Sequence, residues 1–404
     1  MLDEHRPGHP VGSPAYRRML VALVCAGIAT FAQLYSPQGM LQLISADLGV
    51  GPEQAALTVS AATGGLALAV VPWSFAGDRI GRLRAMVLAV SAATTLALVA
   101  AWAPSYELVL VLRLLEGAAL GGIPALAMAY LSEEVDEQAR AIAAGWFVAG
   151  TTVGGLLGRV VATPIADALT WRAGMSAVAL LSAAAAAAFV LTAPRERRFV
   201  PPDSGTGSRR WAPRAARLTR TLRDPGQLVL FACAFLLMGG FVAIYNYLAF
   251  HLTAAPYRVS AGVVGLVFLA YLGGTVSSPA AGRLATRYGR LPVMLAAMGV
   301  MLLGLLLTIA GPLLLVLVGL LVMTGAFFAA HSIASGWAGA RAEGARSQAT
   351  GLYNLAYYAG SSVLGWSTGH VYEAFGWPAT VAVVGAGVIL AAALALGVLR
   401  TQGG

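Results

Sequence analysis

The sequence predicts an all-α membrane protein in which twelve transmembrane helices form two related six-helix bundles. Three observations carry this. Apolar residues make up 58% of the 404 residues and charged residues 11%, with a mean hydropathy of +0.77. An ordinary soluble domain has roughly 45–50% and about 25%, and a soluble core stops growing near about 250–300 residues. Twelve apolar runs are each long enough to cross a bilayer as helix, which needs about 20 residues. Finally, positions in the second half repeat those of the first at a constant offset of 208 residues. A disordered, collagen-like or disulfide-scaffold chain is excluded.

In order, the runs fall near 19–42, 54–76, 83–102, 108–131, 141–163, 172–193, 226–250, 261–282, 290–310, 312–335, 347–371 and 377–399. The first is too long for the apolar stretch of a cleavable signal and lacks a cleavage context, so it reads as a retained span. The 48 glycines often recur at small-xxx-small spacing, as in Gly150, Gly154 and Gly158. Small residues let helix backbones approach where no hydrophobic drive is available. Cys25 and Cys233 lie within apolar runs, far from any metal-ligand spacing, and read as small buried side chains.

All 26 basic residues are Arg, against 17 acidic residues, for a net charge of +9. In a soluble chain this would suggest nucleic acid. Here the arginines sit between apolar runs, so membrane topology explains them and no nucleic-acid partner is expected. With the N-terminus inside, 22 of them lie on the inner side, outer loops hold only Arg172 and Arg258, and Arg113 and Arg159 fall within spans. This asymmetry predicts cytoplasmic chain ends. Residues 194–224 form the one break in composition, with nine Arg, Pro201-Pro202 and a Ser/Gly stretch. The expected organisation is a first bundle at 1–193, a cytoplasmic linker at 194–224 and a second bundle at 225–404. The linker reads as solvated, with part of it able to lie as a basic helix on anionic lipid.

The offset pairs Gly81 with Gly289, Arg79 with Arg287, Arg82 with Arg290, Cys25 with Cys233, Gln38 with Asn246 and Gly117 with Gly325. Several pairs at one offset indicate duplication, and parallel duplicated halves are a transporter plan.

Asp78-Arg79-x-Gly81-Arg82 after span 2, its altered copy at Arg287, Gly289 and Arg290 after span 8, and twelve spans split by a basic loop resemble the major facilitator superfamily. Within it the chain resembles the twelve-helix drug:proton antiporter branch. It is similar to bacterial inner-membrane exporters with the Tyr130–Glu134 end to span 4 and an Ala-Ala-His-Ser span 10, here Ala329–Ser332. The resemblance implies a monomeric, multi-pass transporter of the bacterial inner membrane that exchanges a small amphipathic or sugar-like compound for protons. Its partners would be the substrate and the lipid bilayer. It would need no cofactor, the proton gradient being the energy source. The alternatives are uptake by symport or facilitated diffusion on the same fold, or a non-transporting membrane sensor or assembly partner. No Walker A sequence, HExxH, metal-ligand cluster or nucleophile–base pair appears, so neither an ATP-driven pump, a metal site nor an enzyme is expected.

The resemblance also implies roles for residues. Asp78 would hold span 11 in the outward-open state, with Arg82 and Arg140 in the charge network. Ser74 replaces the usual first Gly and Thr286 the Asp of the second copy, so the second latch should be weak or absent. Arg113 and Glu116 are three residues apart, hence on one helix face deep in an apolar run. They match a span 4 motif associated with proton coupling, although a structural ion pair is the alternative. Span 5 resembles the glycine-rich antiporter motif through Gly150, Gly154, Gly155 and Gly158. Gly155 stands where Pro would be and Arg159 where the last Gly would be, which removes the expected kink. Arg159 could bind an anionic substrate, pair with Glu116 or reach Asp167, and the sequence does not decide. Candidates for a substrate cavity are Gln33, Tyr35, Gln38, Arg159, Trp146, Tyr245, Asn246, Tyr271, Tyr353, Asn354 and Tyr357. His331 and His370 read as structural hydrogen-bond partners.

Overall fold

The computed structural model describes residues 9–136, 139–197, 219–342 and 345–400. Most of the predicted linker, 198–218, therefore lies outside the described residues, as does Arg6. Among the described residues every regular element is helical, apart from an isolated bridge between His9 and Val135. The chain divides into two compact units, Met1–Leu43 with Ala61–Gly207 and Ile44–Ser60 with Ser208–Gly404. The division differs from the expected 1–193 and 225–404 at one point. The segment Ile44–Ser60, which follows span 1 and begins span 2, groups with the second unit.

The first unit is built from α1 (Pro14–Leu34), α3 (Pro52–Ile80, shared with the second unit), α4 (Arg82–Ala101), α5 (Tyr106–Leu120), α6 (Gly122–Glu134), α7 (Arg140–Ala168) and α8 (Trp171–Thr192). Between α1 and α3 lie a 3-10 turn, Ser36–Met40, and α2 (Leu41–Leu48). Side-chain caps start several of these helices. Ser13 accepts from the Tyr16 amide at 3.2 Å, Ser105 from Leu108 at 3.3 Å and Thr170 from Ala173 at 3.1 Å. Each satisfies one donor that the first turn leaves open.

Small residues set the packing of this unit, as the spacing predicts. Gly150, Gly154 and Gly158 of α7 press on the backbone of α1 at Val24, Ile28 and Ala32, and a methyl group at any of them would overlap it. Gly117 of α5 meets the backbone of Ala62 in α3 equally closely. Gly155 departs from expectation. Among the described residues, the one atom within 4 Å of a Cβ added there is Arg159 Nη1, at 3.4 Å.

The second unit contains α9 (Pro225–Thr253), α10 (Ala261–Val264), a 3-10 segment (Gly265–Tyr271), α11 (Leu272–Tyr288), α12 (Arg290–Leu307), α13 (Leu313–Arg341) and α14 (Arg346–Leu399). Its helices repeat the close approach of α1 and α7. Gly360 of α14 sits on the backbone of Phe235 in α9. At 54 residues α14 is too long for one span, since a bilayer core takes about 20. Gly376 divides it, with φ 74°, ψ −165° and Pro378 two residues on. Eleven helices among the described residues have span-like length and apolarity. The division of α14 brings the spans to the expected twelve.

Candidate functional site

The first unit carries buried charge at the point where α1 stops. Tyr35 leaves the helical region at φ −110°, ψ 10°, and Pro37 follows without an amide donor. Carbonyls of the last turn therefore lose intrahelical partners. Arg113 of α5 supplies them. Its Nη2 donates to the Leu34 carbonyl at 2.7 Å and its Nη1 to the Gln33 carbonyl at 3.3 Å. Nη1 also meets Glu116 Oε2 at 2.7 Å, and both side chains are 0% exposed. Glu116 Oε1 is buried and takes part in no hydrogen bond among the described residues. A charge this deep is stable only when paired and hydrogen-bonded, and the broken end of α1 provides half of that pairing.

Gln33 extends the network. Its Nε2 donates to the Ala29 carbonyl at 2.7 Å and to Thr94 Oγ1 at 3.2 Å. Arg159 lies in the same unit, also buried. Its Nε and Nη2 donate to Gln38 Oε1 at 2.8 and 2.6 Å, and its Nη1 to the Gly155 carbonyl at 2.5 Å. The guanidinium stands 4.6 Å from the centre of the Tyr35 ring. Gln38 is thus a partner of Arg159 that the sequence reading did not name. The substitution that removed Gly from the motif installs a cation whose fork matches an amide oxygen and an aromatic face.

The duplicated loops share a backbone and differ in chemistry. Gly81 has φ 97° and ψ 149°, Gly289 φ 89° and ψ 154°. Both take a conformation that side chains rarely adopt. At the first loop, Arg82 Nη2 lies 2.5 Å from Asp78 Oδ1 and 3.2 Å from Glu133 Oε1. Glu196 Oε1 accepts from the Arg82 and Leu83 amides at 2.5 and 3.1 Å, capping α4 from 113 residues or more away. Burial pushes the Glu196 carboxyl up, the two amides pull it back, and the Glu133 and Glu134 carboxylates push it up again. Arg79 is exposed. Arg140, expected in this network, donates to the Val135 carbonyl at 3.3 Å.

At the second loop, Thr286 donates to its own helix at the Gly282 carbonyl, 3.0 Å away. Arg287 stands 5.2 Å from the Tyr288 ring centre, and Arg290 is exposed. Gly289, the N-cap of α12, offers no side chain of its own, and among the described residues no counterpart of Glu196 reaches the amides of its first turn. With Thr at position 286, no ion pair like that of Asp78 and Arg82 forms at this loop among the described residues.

The second unit answers the buried charges with rings. Phe241 stacks on Phe327 at 4.0 Å and Tyr245 on Phe268 at 5.1 Å, with Tyr271 edge-on to Phe241 and Tyr245. The Tyr245 hydroxyl pairs with Thr324 Oγ1 at 2.7 Å, and Asn246 Nδ2 donates to the Gly365 carbonyl at 3.0 Å. His331 Nδ1 and the Tyr353 hydroxyl lie 2.9 Å apart, and Tyr357 leans on the same imidazole at 4.7 Å. His370 Nδ1 is 3.3 Å from Glu53 Oε2 within this unit, where Trp366 Nε1 also donates to Glu53. Asp224 caps α9 through Gly226 and pairs with Arg341, Nε to Oδ2, at 2.7 Å.

Of the cavity candidates, Gln33, Tyr35, Gln38, Arg159, Tyr245, Asn246 and Tyr353 are buried, each held by the contacts above. Tyr271, Asn354 and Tyr357 keep intermediate exposure, and Trp146 is exposed beside Ile142, Gly145 and Ala149. Thr94, Glu133, Glu196 and Thr324 were missed. Only Glu133 had a signal, as part of the Tyr130–Glu134 motif.

The family model described as "Major Facilitator Superfamily" matches residues 20–263 and 230–403. The chain belongs to the major facilitator superfamily. Its similarity to "Inner membrane transport protein YnfM" of Escherichia coli (strain K12) is 40% identity over 91% of this chain and 87% of the other. To "Uncharacterized MFS-type transporter YybF" of Bacillus subtilis (strain 168) it is 33% over 92% and 91%. Among solved folds, a bacterial homolog of the human lysosomal transporter Spinster aligns with TM-score 0.76 and 16% identity, over 96% of this chain and 98% of that one. The xylose transporter XylE from E. coli aligns with TM-score 0.74 and 15% identity over 95% and 98%. At these identities the likeness is one of fold. As a superfamily member the chain is a multi-pass membrane protein and a secondary transporter, not an enzyme.

Proposed function

We propose that this facilitator exports a small amphipathic or sugar-like compound in exchange for protons, across a bacterial cytoplasmic membrane, as a monomer with both chain ends inside. The observation that carries the reading is the buried Arg113–Glu116 pair, whose Glu116 Oε1 has no hydrogen-bond partner among the described residues. That oxygen is where a proton would load. Protonation removes the charge that Arg113 faces and leaves the guanidinium on the Gln33 and Leu34 carbonyls. Proton occupancy is thereby felt at the break in α1, whose next residues Tyr35 and Gln38 hold Arg159.

Asp78 and Arg82 supply the second part, the latch expected to favour the outward-open state as two bundles rock in alternating access. Tyr271, Asn354, Tyr357 and Trp146 are the candidates with enough exposure to meet a substrate, and rings of this kind suit amphipathic ligands. The inside chain ends rest on the arginine asymmetry, and the cytoplasmic membrane on the printed name of the E. coli relative. A thermal-shift screen of purified protein against dyes, sugars and antibiotics should find a stabilising ligand. In inside-out vesicles that ligand should accumulate when the lumen is acid and equilibrate when the gradient is collapsed. Accumulation only in right-side-out vesicles would make the protein an uptake symporter. Gradient-independent equilibration would make it a facilitator.

A further inference from the structure

One cavity stands apart from these groups, at the end of the first unit where α1 begins and α8 finishes. It encloses about 550 Å3 and is lined by His9, Ala15 and Arg18, by Val190 and Leu191, and by the loop running through Pro194, Arg195 and Arg197. Among the described residues, three arginines and no carboxylate line it. All three arginine side chains are exposed. Arg18 is tethered by Nη2 to the Leu191 carbonyl at 3.4 Å, which spans the gap between the two helices.

The loop is held rather than loose. The Tyr130 hydroxyl donates to the Pro194 carbonyl at 2.5 Å, and Glu134 Oε1 accepts from the Arg197 amide at 2.8 Å. Between them Glu196 turns the other way, to the amides of Arg82 and Leu83. The alternation Arg195, Glu196, Arg197 therefore sorts charge, with the acid directed at α4 and both bases at the cavity. A concave site lined by several guanidinium groups recognises a phosphate oxygen well.

An apolar track leads away from the arginines. Leu180, Ala184, Ala187 and Leu191 recur at helical spacing on α8, and all four are exposed. Leu191 is 77% exposed and Leu180 62%, with Val190 at 45% beside the cavity. A soluble anion needs the arginines and not the track. A molecule with a phosphate head and a hydrocarbon tail uses both, and a basic recess at the end of transmembrane helices is where such head groups settle. We propose that this cavity binds the phosphodiester head group of an anionic phospholipid, with an acyl chain lying along the α8 stripe. The site lies outside the proton and substrate groups and stands whether or not those roles hold.

The test is native mass spectrometry of the full-length protein in detergent, with phosphatidylglycerol, phosphatidylcholine or inorganic phosphate added at equal concentration. Wild type should retain phosphatidylglycerol at least tenfold more than phosphatidylcholine, and inorganic phosphate should not displace it. Arg18→Gln, Arg195→Gln and Arg197→Gln combined should abolish the preference. Arg283→Gln, Arg287→Gln and Arg290→Gln combined, an equal loss of charge in the second unit, should keep it. Equal retention of the two lipids by wild type would overturn the proposal without any variant having to fold. Displacement by phosphate would overturn it in favour of a soluble-anion site. Retention by the first triple variant would show the head group sits elsewhere.

Discussion

The two units descend from one plan and have diverged in what they bury. The first buries charge: Arg113 with Glu116, and Arg159 with Gln38. The second buries rings, from Phe241 and Phe327 through Tyr245 to Tyr353, with His331 half-buried against Phe327. Their glycine loops follow the same division. Gly81 is backed by Asp78, Glu133 and Glu196, while at Gly289 no such carboxylate is found among the described residues. The same helices and the same turn thus hold a buried ion pair and a charged loop in one half, and stacked aromatic surface in the other.

The largest effect should come from breaking one buried pair. Arg113→Leu leaves the Glu116 carboxylate unpaired and should cost about 3–5 kcal/mol. Tyr245→Phe, which in the second unit loses the hydrogen bond to Thr324, should cost only about 0.5–1.5 kcal/mol. Thermal unfolding in detergent measures both, and equal losses would erase the contrast between the cores.

Next come the two turns. Gly81→Ala and Gly289→Ala each force a positive φ on a side chain, at about 1–2 kcal/mol. At Gly81 the added methyl also collides with the Glu196 carboxylate, whereas at Gly289 it meets only the Pro292 ring at 3.6 Å. Gly81→Ala should therefore lower the Tm further, and the reverse order would mean Glu196 does not support the first turn.

The smallest effect is a difference in pH dependence. Glu196 has its carboxyl pushed up by burial, against the pull of the Leu83 and Arg82 amides. The folded state therefore binds this proton more readily than the unfolded one. Its contribution weakens as pH rises from the ordinary carboxylate range through the raised folded value. Asp224 behaves oppositely. Burial pushes it up, but Arg341 and the Gly226 amide outweigh that and hold it below the usual range. Its contribution is complete above the unfolded value and is lost as pH falls through the lowered folded one. Glu196→Gln should flatten the upper part of the Tm–pH profile, and Asp224→Asn the acid limb. A Glu196→Gln profile parallel to wild type would contradict the first assignment.

What was legible in the sequence was local or periodic. The twelve runs, the split near Gly376, the pairing of Arg113 with Glu116 three residues on, and the packing of Gly150, Gly154 and Gly158 all depend on spacing along one helix. What was not legible depends on where distant segments meet. Glu196 reaches Arg82 from 114 residues away, Glu133 from 51, and Gln38 reaches Arg159 from 121. Arg113's role at the broken end of α1 was hidden because the break is a backbone event, and the apolar run continues straight through it. Gly155 fits the spacing of the same motif, yet among the described residues a Cβ there would meet only Arg159 Nη1, at 3.4 Å, in its own helix.

The central claim, that Glu116 carries the coupled proton, is most directly tested by Glu116→Gln in proteoliposomes, using a ligand identified by thermal shift. The neutral amide keeps the shape of the side chain and removes its exchangeable charge. The account predicts that transport driven by a pH gradient is lost while ligand-for-ligand counterflow continues at the wild-type rate. Gradient-driven accumulation that survives the substitution would contradict it.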